Sequence, residues 1–329
     1  MLLAGDIGGT KTVLAVFSPE AGAHAPLAEA TFPSGRYGRL EAIIREFLAQ
    51  ITFPIDRACF GVAGPVVAGT AHVTNLPWLM SETSLKATFG WSAARLLNDL
   101  ESIAYAVPIL EPDDLHTLNI GAPVPRGNIG VIAPGTGLGE AFLIWEGSRY
   151  RAHASEGGHS SFAPSSELEI GLLHYMRAQL GQGHVSYERV CSGLGIPNIY
   201  EYLKQSGYAE EPAWLAEALA GAAVPTPVIM DSALGISQTC ALTAATLKTF
   251  VSILGSEAGN LALKVLSTGG VYVGGGIPPR LRATFDDPAF LEAFRHKGRF
   301  RELLTQMPVH VILNPKTAVL GAASYGLTL

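Results

Sequence analysis

Cysteine is scarce in this chain, with three in 329 residues. Cys59, Cys191 and Cys240 lie far apart, which excludes a disulfide framework and Cys-x-x-Cys metal spacing and fits reduced thiols in a core. Charge is also scarce: Asp, Glu, Lys and Arg make up 15% of residues, against about 25% in an average soluble protein. Hydrophobic residues reach 48%, which argues against disorder and for much surface buried between domains or subunits. The formal net charge is −6, and no Lys/Arg cluster interrupts it. That removes the electrostatic footprint of a nucleic-acid or anionic-membrane binder. Any positive site for phosphate must then come from backbone dipoles. No apolar run reaches the ~18 residues that span a bilayer. The apolar stretch at Met1 has no basic flank and is broken by Asp6, so no signal peptide is expected and the protein is expected to be cytoplasmic.

Glycine, by contrast, is arranged with a pattern. Gly5-Asp6-Ile7-Gly8-Gly9-Thr10 and Gly135-Thr136-Gly137-Leu138-Gly139 each sit between two apolar β-type runs and read as strand-turn-strand hairpins. Glycine lets N–H groups approach an anion with no Cβ in the way, so both turns suit a phosphate cradle. Two such cradles could hold one polyphosphate. Neither is a P-loop, because no Gly-Lys-Ser/Thr opens a helix at the required spacing. Neither is a Rossmann fingerprint, because a strand rather than a helix follows. An ordinary hairpin turn is the plain alternative for either motif alone. Asp6 would repel a triphosphate unless a cation intervened, so it is better placed to hold Mg²⁺ or its water shell than to touch phosphate.

A chain this long exceeds the size at which one core keeps growing, so two domains are expected. Leu40, Ile43, Ile44, Phe47 and Leu48 recur at helical spacing, and Ala58–Ala63 and Ala94–Leu97 read as buried strands. Leu100, Ile103, Ala104 and Val107 mark a helix face after Asn98-Asp99. Breakers and acidic residues between Glu111 and Gly127 read as a boundary. Helices dominate from about Glu167 to Leu266. Gly269–Pro278 then reads as a strand ending in a third glycine turn, Gly274-Gly275-Gly276; Val309–Leu313 is a last strand, and Ala318–Tyr325 an apolar helix that must pack between other elements. A glycine hairpin opening each half suggests two related α/β domains with a cleft, with ligands at the carboxyl ends of strands.

The Asn98-Asp99 pair and the Gly274–Gly276 turn stand at such ends. Asp99 suits a helix N-cap and equally a general base that takes a proton from an attacking hydroxyl. Glu156-Gly157-Gly158-His159 puts a carboxylate and an imidazole in one tight turn able to grip hydroxyls, and a buried, satisfied polar turn is the alternative. Glu188 alone reads as a solvated helix residue.

Taken in order, Gly5–Thr10, Leu97-Asn98-Asp99, Pro134–Gly139, Glu156–His159, Glu188–Gly193 and Gly274–Ile277 resemble the motifs of bacterial glucokinases, zinc-free members of the actin/hexokinase-like ATPase superfamily. The resemblance covers nearly the whole chain. It implies an α/β, two-domain actin/hexokinase-like (ribonuclease H-like) fold with an interdomain cleft, residues 1–108 plus 316–329 forming the small domain and 109–315 the large one. It implies ATP-dependent phosphorylation of glucose at its 6-hydroxyl, the first step of glycolysis, with Mg²⁺ and in a homodimer. By the same match Asp99 looks like the catalytic base, and Asn98, Asp99, Glu156, His159 and Glu188 look like sugar ligands. Gly5, Asp6, Ile7, Gly8, Gly9 and Thr10, with Gly135, Thr136 and Gly137, look like phosphate loops, and Gly274, Gly275 and Gly276 like the adenosine-side turn. The alternatives are a kinase of another hexose or an amino sugar, and a non-catalytic sugar sensor. Pro134 and Glu140 depart from the family's small or apolar residues beside the second turn, and Glu140 is expected to add negative charge there.

Overall fold

The computed structural model describes residues 1–73 and 76–329. Strands β1 (Leu2–Ile7), β2 (Lys11–Phe17), β3 (Ala28–Pro33), β4 (Arg57–Val62) and β8 (Ala93–Asn98) make a five-stranded sheet in the order β3-β2-β1-β4-β8. β1 pairs antiparallel with β2 and parallel with β4, which runs parallel to β8. A small sheet, β5 (Val66–Val67), β6 (Thr70–His72) and β7 (Leu79–Ser81), fills the connection between β4 and β8. Strands β9 (Leu115–Asn119), β10 (Ile129–Pro134), β11 (Leu138–Trp145), β12 (Tyr150–Ser155), β13 (Gly270–Val273) and β14 (Val309–Ile312) form a third sheet ordered β12-β11-β10-β13-β14-β9. β10, β13 and β14 are parallel, and β9 closes that edge antiparallel.

In this mixed sheet the central strands β1 and β4 are buried on both faces, as parallel strands covered on both sides are. Alternation along β1 sends Leu3 and Ile7 into a core with Leu14, Phe60 and the helix Leu40–Leu48, which contributes Leu40, Ile43, Ile44 and Phe47. Leu2 and Ala4 point the other way, and with Ala15, Phe17, Cys59 and Leu97 they pack on Val319, Ala322 and Ala323 of the helix Thr317–Gly326. That helix also lies against the helix Asp99–Ala106. Ser102 Oγ donates to the Ala318 carbonyl at 2.7 Å, and Gly321 meets the Ser102 backbone with no room for a Cβ. Gly321→Val is therefore expected to destabilise the fold by about 1–3 kcal/mol through overpacking, read as a lower urea midpoint; an unchanged midpoint would contradict this contact.

Two compact units result: residues Met1–Asp114, Leu143–Ala154 and Asn314–Leu329 make the first, Leu115–Phe142 and Ser155–Leu313 the second. Nothing in the apolar pattern marks Leu143–Ala154 as part of the first set. Its ties there are specific polar ones, Arg149 Nη1 donating to Thr328 Oγ1 at 3.1 Å and the Tyr105 hydroxyl bonded to the Ala152 backbone, which apolar periodicity cannot reveal. In the second unit the core is built around the helix Ala241–Val265, buried on nearly all sides and carrying one fully buried carboxyl, Glu257. Cys59 and Cys191 are buried and Cys240 half-buried, all three as free thiols. Among the described residues no helix is long and apolar enough to cross a membrane.

Candidate active site

In the first unit the chemistry gathers at the carboxyl ends of β1 and β8. Asp6 lies on the β1 face that carries Leu2 and Ala4, and Asp99 begins the helix that follows β8. Burial and the Asp99 charge push the Asp6 carboxyl up to about 6, while Lys11 acts in the opposite direction. Two carboxyls in mutual repulsion next to an ammonium are a place where added positive charge is welcome. Asn98, not Asp99, is the helix cap. Its Oδ1 accepts from Leu100 N at 3.0 Å and its Nδ2 donates to the Gly64 carbonyl at 3.0 Å. Asp99 Oδ1 accepts from the same Leu100 N at 2.9 Å, so the capping pair fixes the direction of the Asp99 carboxylate.

The first glycine turn is pinned from below. Gly8 N donates to the Lys11 carbonyl at 3.0 Å, and Ser34 N donates to the Thr10 carbonyl at 3.0 Å. The fully buried Ser34 also donates its hydroxyl to the Gly8 carbonyl at 2.7 Å. Gly5 and Ile7 belong to the core: Ile7 is fully buried, and a Cβ on Gly5 would strike Leu14 and the Val13 carbonyl. What the motif turns toward solvent is Gly8, Gly9 and Thr10. Ser34 and Lys11 carry no motif, and sequence reading did not single them out.

The second unit brings its candidates to one carboxylate. Glu188 Oε2 accepts from Leu138 N in the second glycine turn at 3.1 Å, and Glu188 Oε1 lies 3.9 Å from His159 Nδ1. The other ring nitrogen, Nε2, is 3.7 Å from Glu156 Oε2. Glu156 is largely exposed and Glu188 mostly covered, with 82% and 25% of their side-chain surfaces accessible, and Glu188 is the one tied to backbone, at Leu138 N. Gly137 packs so closely on Glu188 Oε2 that a Cβ there would collide with it. The turn is held further by Gly193 N and Leu194 N, which donate to the carbonyls of Gly135 and Thr136 at 2.8 and 3.3 Å. The third glycine turn abuts the root of the second. Gly275 has φ +88°, and a Cβ on it would meet the Pro134 carbonyl at 2.6 Å, so both its conformation and its contact demand glycine.

Glu140 departs from its expected place. It does not stand beside the second turn as a free negative charge. It is 2% exposed, lodged under Gly157, and its carboxyl is hydrogen-bonded to that of Glu257. Burial, with the Glu257 charge second, pushes it up to about 8 against the opposing pull of Lys264. At neutral pH it is therefore largely uncharged.

These parts can do definite chemistry. A carboxylate steadied at a helix start can take a proton, glycine turns can present N–H groups to phosphate, and a Glu–His–Glu trio can pair with hydroxyls. No group of three or more His, Cys, Asp or Glu among the described residues could hold a metal by itself.

Comparison with known proteins gives one answer. The family model described as Glucokinase matches residues 3–328. A glucokinase of Nostoc punctiforme is 40% identical over 334 residues, covering 98% of each chain. One of Chromobacterium violaceum is 38% identical over 98% of this chain and 88% of its own. The crystal structure of a glucokinase from an Antarctic psychrotroph superposes with a TM-score of 0.84 at 32% identity, covering 100% of this chain and 99% of that one.

Proposed function

The chain belongs to the glucokinase family, and from that premise we propose that it transfers the γ-phosphoryl group of ATP to the 6-hydroxyl of glucose, giving glucose 6-phosphate and ADP. The observation that carries this reading is Glu188, which binds the second glycine turn through one oxygen and faces His159 through the other. A group that touches both a phosphate-type turn and a hydroxyl-pairing turn links nucleotide and sugar recognition.

In this reading Asp99 accepts the proton of the 6-hydroxyl as its oxygen attacks phosphorus. Glu156, His159 and Glu188 pair with the other hydroxyls, and a site built on such pairs rejects a sugar that lacks one, because its polar groups go unsatisfied. Asn98 has a second hydrogen-bonding position at each polar atom beyond those used in capping, so it can serve the sugar while holding Asp99. Gly8, Gly9 and Thr10, with Gly135, Thr136 and Gly137, offer N–H groups to the phosphates, and Gly274–Gly276 adjoins the adenosine. Mg²⁺ fits at Asp6, where two like-charged carboxyls repel; bound with the nucleotide, it supplies neutralising charge to the phosphates. A homodimer and a cytoplasmic setting belong to the same proposal, the first checked by sedimentation.

The test is ADP release measured across a panel of sugars and phosphoryl donors. Glucose with ATP is expected to give the highest kcat/KM. A preference for mannose, fructose or an amino sugar would replace glucose as substrate, and no ADP release with any sugar would leave a sugar-binding protein. Glu156→Ala is expected to weaken glucose binding by about tenfold, the worth of one charge-assisted hydrogen bond, and to change ATP binding little. Equal losses of both in calorimetry would speak against a sugar ligand.

A further inference from the structure

Beneath the two sugar-facing segments of the second unit lies a buried polar cluster that the reaction does not use. Glu140 projects from β11 and is wedged against Gly157, close enough that no Cβ could stand there. Its carboxyl bonds to Glu257, which is fully buried in the helix Ala241–Val265. Glu257 in turn accepts from Asn260 Nδ2 at 2.7 Å, and Asn260 Nδ2 also donates to the Tyr187 hydroxyl at 2.9 Å. Tyr187 is the neighbour of Glu188, and Gly157 the neighbour of Glu156. We propose that the Glu140–Glu257 pair is a positioning device for the sugar site, one carboxyl propping the Glu156–His159 turn and the other tying down the segment that carries Glu188.

The pair has the charge balance this task needs only while Glu140 keeps its proton. As a neutral acid it donates to the Glu257 carboxylate, whose other partners are Asn260, the Tyr187 hydroxyl and Lys264 Nζ at 3.2 Å. The other groups facing the cluster are the Tyr187 hydroxyl, the Cys191 thiol, the Lys297 ammonium and, through Lys297, Glu169. None of them is a second donor aimed at Glu140, whose Oε1 has no hydrogen-bond partner among the described residues. Loss of the proton therefore sets two like charges side by side in a buried setting where they repel strongly. A carboxyl raised in the folded state contributes stability below its ordinary range and loses it as pH rises through the folded value, here about 8. The turn resting on Glu140 is the part free to shift.

The inference rests on glucose being the sugar, and the experiment separates the two. Glucose titrations by calorimetry on the whole protein from pH 6.5 to 9.5 compare wild type, Glu140→Gln and Glu140→Ala. Gln keeps the shape and a donor toward Glu257 but has no proton to lose. Wild type is expected to lose glucose affinity by about tenfold above pH 8, Glu140→Gln to stay level across the range, and Glu140→Ala to bind about tenfold more weakly at every pH with ATP affinity unchanged. Glu140→Gln is also expected to melt higher than wild type at pH 9. An alkaline profile of Glu140→Gln that follows wild type overturns the inference, whether or not Glu140→Ala folds. Wild type that binds no glucose at pH 7 overturns the glucokinase reading instead.

Discussion

Asp99→Asn is expected to lower kcat by about 10²–10⁴-fold, the usual contribution of a positioned general base, or about 2.7–5.4 kcal/mol of barrier, with glucose affinity kept within about tenfold. The substitution is close to isosteric. An amide oxygen can still accept from Leu100 N, as Asp99 Oδ1 does at 2.9 Å, and Asn98 still caps the helix. The loss of one negative charge from the first helical turn costs about 0.3–1 kcal/mol, too little to unfold the unit. Repulsion with Asp6 is relieved at the same time. What disappears is the ability to hold the proton of the 6-hydroxyl as phosphorus is attacked. The measurements are steady-state ADP release and glucose calorimetry on the same preparation. Turnover near wild type would remove Asp99 from that role, and a parallel collapse of glucose binding would mean that the site itself had been disrupted.

Gly137→Ala is expected to weaken glucose binding by about 10–100-fold. The new methyl occupies the position of Glu188 Oε2, the oxygen that accepts from Leu138 N. The three atoms nearest that methyl all belong to the Glu188 side chain, so the carboxylate is the group that must swing away, and it then leaves His159 as well. A charged hydrogen bond of this kind contributes about 1.5–3 kcal/mol, which sets the range quoted through the usual tenfold per 1.4 kcal/mol. Because the far end of a side chain yields rather than the backbone, the melting temperature is expected to change little. Calorimetry with glucose and a thermal melt decide the matter. Unaltered glucose affinity would show that the Glu188 carboxylate is not required where it stands.

Local patterns made most of the fold legible. The hairpins β1–β2 and β10–β11, the helix Leu40–Leu48 and the strand before the third glycine turn follow from apolar spacing and from where glycine interrupts it, and both signals are short-range. Asp99 was legible as a residue between strand and helix, but not as the first helical residue behind an Asn98 cap, because Asn98 and Asp99 are both good caps and only backbone dihedrals choose between them. Ser34 could not be read, since a serine after a strand has no signature and its partners Gly8 and Thr10 come from the preceding hairpin. Glu140 was misread for a related reason. Its neighbours Gly139 and Pro134 drew it toward the phosphate turn, whereas its partner Glu257 sits far along the chain inside a helix that is apolar almost all round. A lone glutamate in such a helix was the available signal, because a buried charge calls for a companion.

The first unit is assembled from three separate segments, the last of which, Asn314–Leu329, follows the whole of the second unit in the chain. Leu2, Ala4, Ala15, Phe17, Cys59 and Leu97 on its central sheet are covered by Val319, Ala322 and Ala323, and a ribosome delivers those three only after the whole of Leu115–Leu313 has been made. Through that interval one face of the nascent sheet has no lid. The second unit's main core takes nothing from the helix Thr317–Gly326 but includes Val309 and Val311 of β14, so it too closes only near the end of synthesis, and the apolar face of the earlier-born unit stays uncovered until then.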